Sequence, residues 1–151
     1  MSHPPHHQAP RSEVHIRVNY SDVDRMGLLH HAAYLRYFER CREEFARRRG
    51  ASYAEMEDAG WLIVVVDASV RYRQPARFDE VLAIEVSLDE LRHASLRFGY
   101  HVRRVNDGAL VATGTTRHAF VDREGRLRRI GADLHEMFAQ AERVSRRGEV
   151  E

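Results

Sequence analysis

One long amphipathic helix, set between a single leading strand and four trailing ones, constrains this chain more than any other feature. Val14 to Tyr20 alternates, with Val14, Ile16, Val18 and Tyr20 on one side, and reads as a strand. A polar turn from Asp22 to Gly27 follows, and a helix is predicted from about His31 to Arg49. Tyr34, Phe38, Cys41 and Phe45 fall at helical spacing and make one apolar stripe, widened by Leu35 and Tyr37. Glu43–Arg47 and Glu44–Arg48 are acid-before-base pairs one turn apart. Arg47, Arg48 and Arg49 suit the negative end of that helix, and Gly50 is a natural stop. Ala51 to Ala59 reads as a short second helix ending at Gly60.

Four strand-like segments come next. Trp61 to Gln74 opens as a continuous apolar run and then alternates. Val81 to Leu91 carries Leu82, Ile84, Val86 and Leu88 on one face. Ala94 to Arg104 carries Leu96, Phe98, Tyr100 and Val102, and Leu110 to Val121 closes the set. Pro75–Asp79, Asn106–Gly108 and Asp122–Gly125 are turns, the second a strong hairpin signal. A last amphipathic helix spans about Ala132 to Val144, with Leu134, Met137, Phe138 and Ala141 as its apolar side. The order implies an α+β architecture, an antiparallel sheet with one helix against its face. No repeat or internal boundary interrupts residues 13–145, which read as a single domain. Residues 1–12 read as a disordered arm and 146–151 as a charged tail. His3, His6 and His7 in the arm could bind a metal weakly, but a floppy tail accounts for them as well.

Composition excludes several function classes. A net charge of +1 gives no case for bulk nucleic-acid binding. Every basic residue is arginine, so Schiff-base lysine chemistry is excluded. Cys41 is the one cysteine, so no internal disulfide can form, and a reducing cytoplasm is the expected location. The apolar run from Trp61 to Val66 is too short to span a bilayer, and Met1 to Arg11 lacks the apolar core of a secretory signal.

The chemistry concentrates between Tyr20 and Tyr34. Asp24 precedes the Gly27 turn and a helix N-terminus, where free N–H groups stabilise negative charge developing on an oxygen. That pairing suits acyl transfer at a carbonyl. The competing reading is a turn aspartate that satisfies backbone N–H groups. Asp22 competes for the catalytic role. His30 and His31 either orient a substrate or cap the helix, and the backbone N–H near His31 is the more useful group, as an oxyanion donor. Cys41 sits mid-helix on the apolar stripe and reads as a buried structural thiol. No G-x-S-x-G, H-E-x-x-H, paired Cys/His set, P-loop or G-x-G-x-x-G occurs, so serine-triad, metal and nucleotide-fold readings lapse and no cofactor is expected.

Asp22, Asp24, Gly27, His31 and Tyr34 fill a pattern, Asp-x-Asp-x-x-Gly-x-x-x-His-x-x-Tyr, that resembles the signature of hot-dog-fold acyl-CoA thioesterases. The 4-hydroxybenzoyl-CoA thioesterase family and its YbgC-type branch are the nearest match. Tyr37–Phe45 and Val70–Glu80 resemble that branch too, and the likeness covers roughly Val14 to Val121. It implies an antiparallel sheet wrapped around one long central helix. It also implies a homodimer, or a dimer of dimers, with active sites between subunits. By the same resemblance Asp24 is the nucleophile or general base and the His31 N–H the oxyanion contact. Tyr20 and the His31 side chain line the acyl pocket, and Gly27 and Tyr34 join them on the substrate side. Arg92 is nominated for the nucleotide end of coenzyme A. Arg25, His30 and Ala33 depart from the residues common at their places. Pocket length turns on packing around Tyr34, Phe38, Trp61 and the partner subunit. The activity implied is hydrolysis of acyl-CoA. The alternatives are hydrolysis of acyl carrier protein thioesters and a non-catalytic acyl-CoA binding module.

Overall fold

A computed structural model describes residues 9–142 of the chain. Strand β1 (Arg11–Arg17) leads through a short 3-10 turn (Tyr20–Asp22) to the long helix α1 (Ala33–Arg47) and the short helix α2 (Tyr53–Asp58). Strands β2 (Leu62–Tyr72), β3 (Val81–Leu91), β4 (Ser95–Arg104) and β5 (Leu110–Val121) follow, and helix α3 (Ala132–Ala139) comes last. All five strands form one sheet in the order β1-β3-β4-β5-β2, every neighbouring pair antiparallel.

The alternation in the sequence decides which face of this sheet is covered. Leu82, Ile84 and Val86 of β3 and Leu96, Phe98, Tyr100 and Val102 of β4 are buried against α1. The helix presents Tyr34, Tyr37, Phe38, Cys41 and Phe45 to them. Phe38 stacks on Tyr100 with ring centroids 4.0 Å apart, and Phe45 meets Phe98 edge-on at 5.2 Å. Each such burial stabilises the fold by about 1.5–3 kcal/mol. Helix α2 starts where Ser52 accepts a hydrogen bond from the Glu55 N–H at 3.1 Å.

Three boundaries differ from the sequence expectation. The first strand begins at Arg11, inside the segment read as a disordered arm, because Ser12 pairs with Val86 and the buried Arg49 guanidinium grips this edge. Arg49 donates to Ser12 Oγ at 2.8 Å, to the Arg11 carbonyl at 3.1 Å, to the Phe45 carbonyl at 3.0 Å and to the Gln140 carbonyl at 3.0 Å. The strand also ends early, so Tyr20 does not continue the buried side of β1: it lies in the 3-10 turn, 76% exposed. Helix α3 stops at Ala139 because Gln140 turns extended and donates from Nε2 to the Arg49 carbonyl at 2.7 Å. The predicted end at Val144, the charged tail and His3, His6 and His7 lie outside the described residues.

Among the described residues strand β2 pairs only with β5, which leaves its other edge without a strand partner, and Val64, Val65 and Val66 are exposed. Next to it, inside, a polar line crosses the core. Arg42 of α1 donates to Tyr100 Oη at 3.3 Å, Tyr100 shares a proton with Thr116 at 2.6 Å, and Thr116 meets His118 Nε2 at 2.8 Å. Burial, and then the charge of Arg42, push the His118 pKa down to about 3. The unfolded chain therefore takes up this proton near pH 6.5, whereas the folded chain does so only near pH 3. This contribution is complete above pH 6.5 and is lost as the pH falls toward 3, at up to about 1.4 kcal/mol per unit. Urea unfolding of wild type and His118→Gln between pH 7 and 5 checks it. The wild-type curve is expected to fall more steeply by up to about that slope, and parallel curves would refute the assignment.

Candidate active site

The loop between the 3-10 turn and α1 is a small hairpin, closed by a bridge between Val23 and Leu29. It is clipped to the turn after β2: Leu28 bridges Arg77, Leu29 N–H donates to the Ala76 carbonyl at 2.7 Å, and Phe78 N–H donates to the Gly27 carbonyl at 3.1 Å. Gly27 sits at φ +75°, a left-handed conformation that a side chain would strain, although nothing lies near its missing Cβ.

The two aspartates of the motif do different work. Asp22 faces inward, accepting from Arg36 Nη2 at 2.7 Å and from Tyr37 Oη at 2.8 Å, so it ties the loop to α1. Its partial burial raises the carboxyl pKa, but the bonds from Tyr37 and Arg36 outweigh that and hold it below the usual value. Burial, followed by the bond to Asp22, pushes the Tyr37 hydroxyl up to about 12. Asp24 faces outward. Its Oδ1 accepts from the Met26 N–H at 2.8 Å and the Leu28 N–H at 3.1 Å. The turn role and the chemical role are thus split between its two oxygens, for Oδ2 has no hydrogen-bond partner among the described residues.

Helix α1 begins without a side-chain cap, because its N-cap residue is Ala32. His30 Nδ1 accepts from the Ala32 N–H at 3.2 Å, so that nitrogen carries no proton, and His30 stacks on His31 at 4.2 Å. The His31 N–H donates to no acceptor among the described residues. The His31 carbonyl accepts from Tyr72 Oη at 2.8 Å, and Tyr72 meets Tyr34 edge-on at 5.2 Å. Asp24, Leu28, Leu29, His31, Tyr34, Tyr72, Arg73, Gln74 and Pro75 line one hollow of about 350 Å³. A larger apolar hollow, about 520 Å³, lies between α2 and α3 around Met56, Trp61, Leu134 and Met137, away from the α1 N-terminus.

Of the residues nominated from sequence, Asp24, His31 and Tyr34 therefore converge. Gly27 shapes the turn beside them without lining the hollow. Tyr20 packs edge-on against Phe78 at 5.5 Å, and within one chain it does not reach the hollow. Arg92 lies in the β3–β4 hairpin, where it pairs with Glu90. A strand of 11 residues separates it from the Asp24 loop, roughly 33 Å at ~3.3 Å per residue, so one chain does not bring it to the site. Sequence reasoning missed Tyr72. Its signal was a tyrosine at the end of a strand, just before the Arg73-Gln74-Pro75 turn.

An anchored carboxylate with one open oxygen, beside an uncapped helix N-terminus with a spare N–H, is the equipment of an acyl-transfer hydrolase. The fold is the hot-dog type, an antiparallel sheet around one long helix. The family model of the thioesterase-like superfamily matches residues 18–144, and the chain belongs to that superfamily. A protein of Aquifex aeolicus is 35% identical over 105 residues, covering 70% of this chain and 80% of its own. The acyl-CoA thioesterase YbgC of Haemophilus influenzae is 30% identical over 108 residues, 71% of this chain and 78% of its own. The crystal structure of DHNA-CoA thioesterase from Staphylococcus aureus superposes with a TM-score of 0.80 at 25% identity, covering 85% of this chain and 88% of that one.

Because Asp22 holds the loop through two bonds to α1, Asp22→Asn is expected to destabilise the protein by about 1–3 kcal/mol. Urea unfolding at pH 7 measures this, and an unchanged midpoint would show that the tie is idle.

Proposed function

We propose that this protein hydrolyses acyl-CoA thioesters to the free acid and coenzyme A, with Asp24 as the reacting carboxylate. The observation that carries the reading is the state of Asp24: one oxygen is held by two backbone N–H groups, the other has no partner among the described residues, and the residue lines the hollow at the N-terminus of α1. Relatives and structural neighbours named as acyl-CoA thioesterases support it. The thioester carbonyl lies over the start of α1, where the His31 N–H polarises its oxygen. Asp24 Oδ2 attacks the carbonyl carbon and the thiolate leaves, and water then opens the mixed anhydride. Alternatively, Oδ2 takes a proton from water, which attacks directly. Tyr72 holds the His31 carbonyl, one peptide unit beyond that N–H, and so steadies the backbone at the start of α1. Arg73 lines the hollow with no carboxylate partner among the described residues, which suits the phosphates of coenzyme A. The reading includes a cytoplasmic location, in keeping with a lone buried cysteine. No helix among the described residues is long and apolar enough to cross a membrane.

The proposal extends to a homodimer joined at β2. Its outer edge has no strand partner, and Val65 and Val66 beside it are 55% and 61% exposed. A second copy would pair that edge and cover those valines.

Thiol release from aroyl-, short-chain and long-chain acyl-CoAs tests the activity. Wild type is expected to turn over part of the panel, and Asp24→Asn, which keeps an oxygen for the turn, to lose about a hundredfold or more. Equal rates would reduce Asp24 to a turn residue. Turnover of carrier-protein thioesters alone would move the substrate to the carrier protein, and ligand binding without turnover would leave a binding module. Sedimentation equilibrium at micromolar protein tests the assembly: the dimer mass is expected, and a monomer would refute it.

A further inference from the structure

The packing of α1 on the β2–β5 half of the sheet is laddered. On the helix, Tyr34, Phe38 and Arg42 succeed one another at four-residue steps, so they share a face one turn apart. On the inner face of the sheet the paired residues run Tyr72 with Ala112, Val70 with Gly114 and Ala68 with Thr116. The first rung, Tyr34 and Tyr72, lines the hollow that holds Asp24. The third rung is polar, with Arg42 linked through Tyr100 to Thr116 and no partner on Arg42 Nε. Between them stands Phe38, fully buried.

Gly114 shows how completely Phe38 fills that space. A Cβ on Gly114 would lie 2.5 and 2.8 Å from two carbons of the Phe38 ring. Gly114 has no positive φ, so its need for glycine is spatial and comes from that ring. The ring also stacks flat on Tyr100, the cross-strand neighbour of Gly114, at 4.0 Å and 9°. The ring is thus seated on Tyr100 and against the β5 backbone, and it cannot shift without disturbing that packing.

We infer that Phe38, seated on Gly114, is the end wall of the acyl pocket and sets the length of acyl group the enzyme accepts. The inference rests on the thioesterase reading above and adds a specificity-determining pair to it. A compact acyl group ends at Tyr34 and Tyr72. A longer one runs in between helix and sheet and meets the Phe38 ring one turn further in, about 5.4 Å on. Shortening Phe38 opens space at that turn, beside Val70 and Gly114. Adding a methyl at Gly114 drives the ring toward Tyr34 and makes the pocket shallower.

The test is kcat/KM on a series of saturated acyl-CoAs from acetyl to palmitoyl for wild type, Phe38→Ala and Gly114→Ala. Wild type is expected to fall about tenfold or more beyond its optimum length. The optimum should move to longer chains in Phe38→Ala and to shorter ones in Gly114→Ala. A general loss of stability would lower every rate without moving the optimum. If Phe38→Ala does not fold by circular dichroism, Phe38→Leu carries the same test with a smaller shift in the same direction. One optimum shared by wild type and the folded variants overturns the inference while leaving the thioesterase reading intact. A wild type inactive on every member overturns both.

Discussion

One helix has to cover five strands, and its apolar stripe is only wide enough for part of them. The stripe of α1 takes the inner faces of β3 and β4, where Phe98 and Tyr100 are fully buried or nearly so, and Phe120 of β5 meets Phe138 of α3 instead. Strand β2, at the end of the order β1-β3-β4-β5-β2, is covered only in part. Val64, Val65 and Val66 stay exposed, its outer edge has no strand partner among the described residues, and the hollow with Asp24 lies where its last residue, Tyr72, meets the start of α1. The same shortage of cover therefore accompanies both the candidate pocket and the open sheet edge.

The two aspartates of the loop before α1 are engaged differently. Asp22 spends both oxygens on Arg36 and Tyr37, whereas Asp24 spends one on its own turn and keeps the other. The start of α1 follows the same logic. A serine, threonine or aspartate at Ala32 would cap the helix by accepting from the Tyr34 or Leu35 N–H and stabilise it by about 1 kcal/mol, whereas alanine leaves this end without a side-chain acceptor. The stability forgone at this end is small beside the burial of Tyr34, Phe38 and Phe45 one to three turns on.

Arginine carries the polar links through the core as well as the surface charge. The planar guanidinium of Arg49 makes four bonds that join β1, the end of α1 and the residue after α3, an arrangement a lysine's three donors could not reproduce. Arg42 enters the core with no carboxylate partner among the described residues, and its charge adds to burial in keeping His118 neutral. Tyr100 belongs to this polar line and also stacks on Phe38, so the line begins directly beside that ring.

Much of this was legible in the sequence. The alternating faces of Leu82, Ile84 and Val86 and of Phe98, Tyr100 and Val102 follow from the two-residue period of a strand. The stripe on α1 follows from the helical period, and the left-handed turn at Gly27 from the residue itself. The pairing of Asp24 with His31 was readable because both belong to one short loop. The strand placement of Tyr20 and the end of α3 came out differently, since each depends on a residue remote in sequence, Phe78 and Arg49, whereas Arg92 sits in its own hairpin beside Glu90, away from the Asp24 hollow of the same chain. The sequence by itself determined the elements, their buried faces and the loop that carries Asp24, because those rest on local periodicity and turn chemistry. Only the tertiary structure decided that Tyr72 lines the hollow with Asp24, that Gly114 makes room for Phe38 and that β2 is an edge strand. Those facts depend on the order in which distant strands lie side by side, and no local period encodes that order.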